Sequence, residues 1–272
     1  MSEVKVISSE PADLGQYMSR VWKYRSLILT FAKRDIKIRY AQTLLGVLWI
    51  FFQPVPSILI FTFFFSFLVK VDTGKLPYPV FALLGMCGWT YFTGLTNNIG
   101  NALIESQNIL KKIYFPKTVL LLSKILSGAV DFSASFLLII VALILFRVMP
   151  SWHIVFLPLF FVLNILVGLS VGTWISSLTF KHRDIQNIAP AVINFSIWLT
   201  PVFYPTTILP KQFNYLMYFN PMAFVIEGYR FCLTGENMPD KHYLISIIPM
   251  LFVLFSGLLY FRRVEDEISD YV

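Results

Sequence analysis

Thr93, Asn97, Asn101 and Glu105 recur at every fourth position, and Ser123, Ser127, Asp131 and Ser135 do the same further along. Residues four apart are neighbours on one face of a helix, so each set makes a polar face. Both sets sit in apolar surroundings, where such a face either joins one helix to another or lines a water path. The residue types leave both uses open. Glu227 and Arg230 stand three apart and can pair on a helix, which makes partial burial of charge tolerable. Just before them, Asn220 suits an N-cap and Pro221 a first turn, while Gly235 suits a left-handed stop. A short helix over 221–233 follows.

Covalent chemistry finds little to use. The three histidines, His153, His182 and His242, fall in different loops without an H-E-x-x-H, a G-x-S-x-G or a carboxylate pair. There is no G-x-x-x-x-G-K-[ST], so nucleotide energy must come from a partner, and no residue is assigned a catalytic or metal-binding role. An ion-coupled carrier needs ionisable groups near the bilayer midplane, and only Asp131 with nearby Lys124 qualifies. Cys87 and Cys232 lack CxxC or His partners and read as free structural thiols.

The elements that must carry these residues are membrane spans. A bilayer core roughly 30 Å thick needs about 20 apolar residues in helix. The uncharged runs 44–69, 76–104, 148–180 and 185–210 exceed that, and 243–261 just reaches it. With 57% hydrophobic and 14% charged residues, the composition excludes an ordinary water-soluble core. The expectation is an all-α polytopic membrane protein of six transmembrane helices, forming one domain over residues 1–272. Residues 1–43 are polar and basic, unlike a cleavable signal, so the N-terminus is expected to stay cytoplasmic. From that start 16 of the 22 Lys and Arg fall on the cytoplasmic side, which places both termini there. The net charge of +7 follows from the same asymmetry without calling for nucleic acid.

Finer features qualify this frame. Residues 13–40 read as an amphipathic interface helix with Leu29, Ala32, Ile36 and Tyr40 on one stripe. Gln53-Pro54-Val55-Pro56 should kink the first span. Gly168, Gly172 and Ser176 make a small-residue ridge on the fourth, which lets another backbone approach. Residues 206–235 read as a re-entrant hairpin at the outer face, and 262–272 as a cytoplasmic tail.

Four blocks in order resemble the transmembrane subunits of ABC-2 type polysaccharide exporters, those for O-antigen, capsule and teichoic acid. They are Arg39-Tyr40-Ala41-Gln42-Thr43-Leu44-Leu45-Gly46-Val47-Leu48-Trp49, Leu110-Lys111-Lys112-Ile113-Tyr114-Phe115-Pro116-Lys117, Phe180-Lys181-His182-Arg183-Asp184, and Asn220-Pro221-Met222 through Glu227-Gly228-Tyr229-Arg230. The resemblance implies a homodimer working with two separate ATPase subunits, which would hold the ATP and Mg. This chain would bind no cofactor itself. The cargo would be a lipid-linked polysaccharide, O-antigen ahead of capsule or teichoic acid. A bilayer-embedded lipid-sugar enzyme is the alternative outside transport.

A glycan hydroxyl stripped of water without a partner costs about 4–8 kcal/mol on an alkane scale. A path between two copies should therefore be polar or aromatic, walled by the first and fifth spans. The candidates to line it are Trp49, Phe52 and Gln53, then Trp89, Tyr91, Phe92 and Asn97, then Trp198 and Tyr204. Coupling to the ATPase is expected through Ile109, Leu110, Lys111, Lys112, Ile113, Tyr114 and Phe115, and through Lys181, Arg183 and Asp184. Arg34, Lys37 and Arg39 are placed to meet a lipid diphosphate or, equally, anionic membrane lipid. Asn220, Glu227 and Arg230 are the candidates for an outer gate.

Overall fold

Helix follows helix through the described part of the chain, residues 14–40, 46, 52, 54–235 and 238–270 of a computed structural model, and no strand occurs among them. Helices α1 (Leu14–Lys23) and α2 (Arg25–Tyr40) precede α3, which runs from Pro54 to Phe61 and continues as a wider π-helical stretch, Thr62–Leu68. Next come α4 (Tyr78–Gly100) and two single turns, α5 (Ala102–Glu105) and α6 (Gln107–Leu110). The long helices α7 (Thr118–Leu145) and α8 (Leu157–Lys181) lead to α9 (Ile185–Ser196). Finally α10 (Asn214–Phe219) and α11 (Pro221–Thr234) precede α12 (Ile247–Asp270).

Among the described residues, three segments are long and apolar enough to cross a bilayer: Thr118–Leu145, Trp152–Lys181 and Lys241–Glu265. Pro54–Leu68 and Ile185–Leu199 are apolar but shorter. The expected first span is described only from Phe52 and Pro54 onward, the rest of 44–69 lying outside the described residues except Gly46. α4 carries threonines and asparagines because it is the hub, packed against α8, α7 and α11. The ridge anticipated on α8 makes that packing possible. A Cβ at Gly168 would stand 2.9 Å from Leu95 Cδ2 and one at Gly172 2.8 Å from Ile99 Cβ, both on α4. Thr96, fully buried there, points its hydroxyl toward the Gly168 carbonyl at 3.5 Å.

The stretch 262–270, expected as part of a cytoplasmic tail, continues α12 in helix. Of the stripe expected on α2, Ala32 is buried, Ile36 and Tyr40 are half-buried and Leu29 is exposed. The short helix α11 begins and ends where its cap residues say it should. Asn220 Oδ1 accepts from the N–H groups of Met222 (2.9 Å) and Ala223 (3.3 Å), and Gly235 closes it at φ +69°. Cys87 and Cys232 are buried free thiols.

Candidate functional site

The candidate residues fall near opposite ends of α4: the loop 105–117 follows its C-terminus, and Arg230 of α11 lies on Phe81 in its first turn. At the loop end, the expected docking residues divide. Leu110 and Phe115 are buried in the chain's own core, Phe115 against Phe31 of α2 with ring centroids 5.7 Å apart. They are therefore internal anchors, which corrects their expected role as contacts for a partner. Between them Lys111, Lys112, Ile113 and Tyr114 are exposed, and Ile109 is half-buried. A six-residue loop fixed at both feet and apolar at its tip is a knob, with Lys117 Nζ 5.5 Å from the Tyr114 ring centroid.

The base of the knob is tied by charge. Buried Lys124 of α7 reaches Glu105 Oε2 at 2.7 Å and Asp35 Oδ2 of α2 at 2.9 Å. The contact to Asp35 lies within ion-pair distance but outside hydrogen-bonding direction. Glu265 of α12 accepts from the Lys117 backbone N–H at 2.8 Å and from the Tyr17 hydroxyl at 3.1 Å. Burial first, and the Glu265 carboxylate second, push the Tyr17 phenol well above its ordinary pKa. So α1, α2, α7 and α12 all brace one loop.

Lys124 and Asp131, the two ionisable groups named for the midplane, do not pair with each other. Asp131 instead accepts from Arg39 and from the Tyr40 hydroxyl, so the two charges on α7 face different turns of α2. Burial and then the hydrogen bond to Asp131 push the Tyr40 phenol up to about 12. Arg34 pairs with Asp35 at 2.9 Å and lies 5.0 Å from the Phe31 ring centroid. Of the three cations expected to meet a diphosphate, two have carboxylate partners inside the chain, and Lys37 is exposed. Lys181, Arg183 and Asp184 are exposed on the second loop, with Lys181 bonded to Glu267 of α12 at 2.8 Å.

At the other end Arg230 is buried on α11 and forms a latch. Its guanidinium donates to Glu227 Oε1 and to the Val202 carbonyl, each at 2.9 Å, and lies 3.5 Å from the Phe81 ring centroid on α4. Asn220 adds Nδ2 bonds to the Leu199 carbonyl (3.1 Å) and to Thr200 Oγ1 (2.9 Å). The gate candidates thus fasten α11 to the segment after α9.

The aromatic candidates also divide. Trp89, Tyr91 and Phe92 are buried, Tyr91 and Phe132 lying 5.2 Å apart, and so reach no surface that a second copy could share. Asn97 and Tyr204 are half-buried, Phe52 and Trp198 exposed; Trp49 and Gln53 lie outside the described residues. Sequence reasoning missed Asp35, Glu265 and Phe61, whose ring stacks on Phe203 at 3.6 Å between α3 and the segment after α9. Asp35 is the lone acid in a basic helix, and Glu265 lay in what read as a tail.

The family model for the ABC-2 type transporter matches residues 26–234, which takes in both ends of the molecule just described. The chain belongs to the ABC-2 type transporter family. Among curated ABC-2 relatives, it is 26% identical over 250 residues to the O-antigen export system permease protein RfbA of Myxococcus xanthus, covering 90% of this chain and 95% of that one. An O-antigen export system permease protein RfbA of Klebsiella pneumoniae is 25% identical over 245 residues, covering 90% and 94%. The polysialic acid transport protein KpsM of Escherichia coli is 23% identical over 239 residues, covering 86% and 91%. Membership of the ABC-2 family makes this a transport protein of the membrane, in keeping with its apolar helices.

Proposed function

We propose that this chain is the permease half of an ATP-driven exporter moving a lipid-linked polysaccharide, O-antigen first and capsule second, across the bacterial inner membrane. Two copies would pair, each with six spans and both termini cytoplasmic, and two separate ATPase subunits would supply the energy. The observation that carries the reading is the knob. An apolar tip, Ile113 and Tyr114, beside Lys111 and Lys112 and braced at its base, suits a groove on a partner better than open water. Motion delivered there would pass through Glu105 to Lys124 and on to α2 and α7. The names of the relatives support the cargo.

The export path would run between the copies along α3 and α9, where Leu59, Phe63, Phe67, Val192, Phe195 and Trp198 are exposed. Lys37, exposed on α2, would meet the lipid diphosphate, with Arg34 and Arg39 held back by their internal carboxylates. Co-reconstitution with the cognate ATPase and lipid-linked glycan tests this. ATP-driven export should need both proteins, and Ile113→Ala with Tyr114→Ala should abolish it while the permease still inserts and pairs. Transport or modification of glycan by this chain alone would overturn the proposal.

A further inference from the structure

The α10–α11 end encloses a cavity of about 560 Å³, within the range of about 300–1,000 Å³ usual for small-molecule sites. Its lining includes buried Tyr243 and buried Phe81, the latter covered by the Arg230 guanidinium. Tyr218 stands half-buried beside them, edge-on to Tyr243 with centroids 5.2 Å apart. Its orientation is fixed, because its hydroxyl donates to Asp240 Oδ2 at 3.2 Å while Asp240 Oδ1 accepts from the His242 N–H at 3.1 Å. That backbone N–H and the His242 ring hold the Asp240 carboxyl below its ordinary pKa, so it stays an acceptor near neutral pH.

Polar groups surround this shelf. Asp72 and Thr207 are exposed at the mouth, and Asn214 is half-buried. In the wall, Arg230 is buried; its two terminal nitrogens are engaged, but Nε has no partner. That nitrogen is closed off from the cavity, so Arg230 shapes the wall without offering it a free donor. The charged lining is Asp72, Glu227 and Asp240 against Lys75 and Arg230, three acids and two bases, for a net charge of −1. A phosphate or carboxylate would enter against that balance. An aromatic shelf under mixed donors and acceptors fits instead a ring with C–H faces and hydroxyl edges.

We propose that this cavity binds a short stretch of neutral saccharide. It rests on the export reading only for which side of the membrane it faces. The test is saturation-transfer NMR on the full-length chain purified in detergent, titrated with maltose, cellobiose, glucose and glucose 1-phosphate. A neutral disaccharide should bind saturably, and glucose 1-phosphate no better than glucose. Tyr218→Ala should weaken binding several-fold, up to about tenfold, the order expected for an aromatic platform. Asp72→Asn with Thr207→Ala, at the exposed mouth where folding is not at stake, should weaken it as well. No saturable binding, undiminished binding in both variants, or preference for the phosphorylated sugar would overturn the proposal. Export with the ATPase but no sugar binding would sink this proposal alone; sugar binding without export would sink the export reading alone.

Discussion

Both ends of the molecule bury charge, but they do so in opposite ways. At the α11 end the ion pair Glu227–Arg230 lies within one helix, and its outward bond goes to a backbone carbonyl, that of Val202. At the loop end, Lys124 on α7 spans Asp35 on α2 and Glu105 on α5, and Arg39 on α2 reaches Asp131 on α7. A pair within one helix travels with it and survives a shift between helices. Pairs between helices exist in only one arrangement. The first design is indifferent to a shift of its helix; the second must break for one to occur, so it holds a joint in one position until an outside force acts on the knob.

The sharpest way to break that contrast is Arg230→Ala. It leaves Glu227, half-buried at the cavity, unpaired and the Val202 carbonyl without its donor, so thermal unfolding in detergent should register a loss of about 3 kcal/mol. Arg230→Met with Glu227→Leu should recover most of it, since apolar replacement removes both desolvated charges. Lys124→Met should cost less, about 1–2 kcal/mol, because Glu105 is half exposed and can turn to water while Asp35 keeps Arg34 and loses only the partner of its second oxygen. Its effect on ATP-driven export should nonetheless exceed that of the Arg230–Glu227 double variant. A larger fall in stability for Lys124→Met than for Arg230→Ala would reverse the contrast.

Which parts were legible beforehand follows the same divide. The helix α11 could be read to within a residue because Asn220, Pro221 and Gly235 act locally, each through its own backbone geometry. The ridge Gly168-Gly172-Ser176 was legible as a contact surface, though not as facing Leu95 and Ile99 of α4. Partners across helices were not legible. Lys124 and Asp131 are seven residues apart on one helix, and nothing in that spacing reveals that each turns to a different residue of α2. Leu110 and Phe115 look like the rest of an apolar loop until packing assigns them to the core and leaves Ile113 and Tyr114 outside. The aromatics of α4 misled for a related reason. Trp89 and Tyr91 carry the chemistry of a glycan track, but α4 is enclosed by other helices.

A smaller effect separates capping from latching. Asn220→Ala removes both the N-cap of α11 and the Nδ2 bonds to Leu199 and Thr200. Loss of the cap alone predicts about 1 kcal/mol. Asn220→Ser, which can cap but is too short to donate to those two groups, should recover the cap's share in the same unfolding measurement. Recovery of the whole loss would show that the latch contributes nothing beyond Arg230.

The smallest effect is expected two residues from a large one. Glu265 and Glu267 lie on the same last turns of α12, but Glu265 is buried against Tyr17 and Lys117, whereas Glu267 meets exposed Lys181. An exposed pair gains little, because water screens it and ordering two long side chains costs entropy. Lys181→Ala should therefore leave the unfolding temperature unchanged, while Glu265→Gln lowers it. The hydrogen bond to Glu267 raises the Lys181 pKa, so whatever the pair contributes is complete below the ordinary lysine pKa and is lost only as the pH rises through the raised one. Wild type and Lys181→Ala should then unfold alike from about pH 6 to 9, below the lysine range. A difference that appears within that window, or that grows as salt is lowered, would place Lys181 among the braces of the loop end and enlarge the joint to include the second loop.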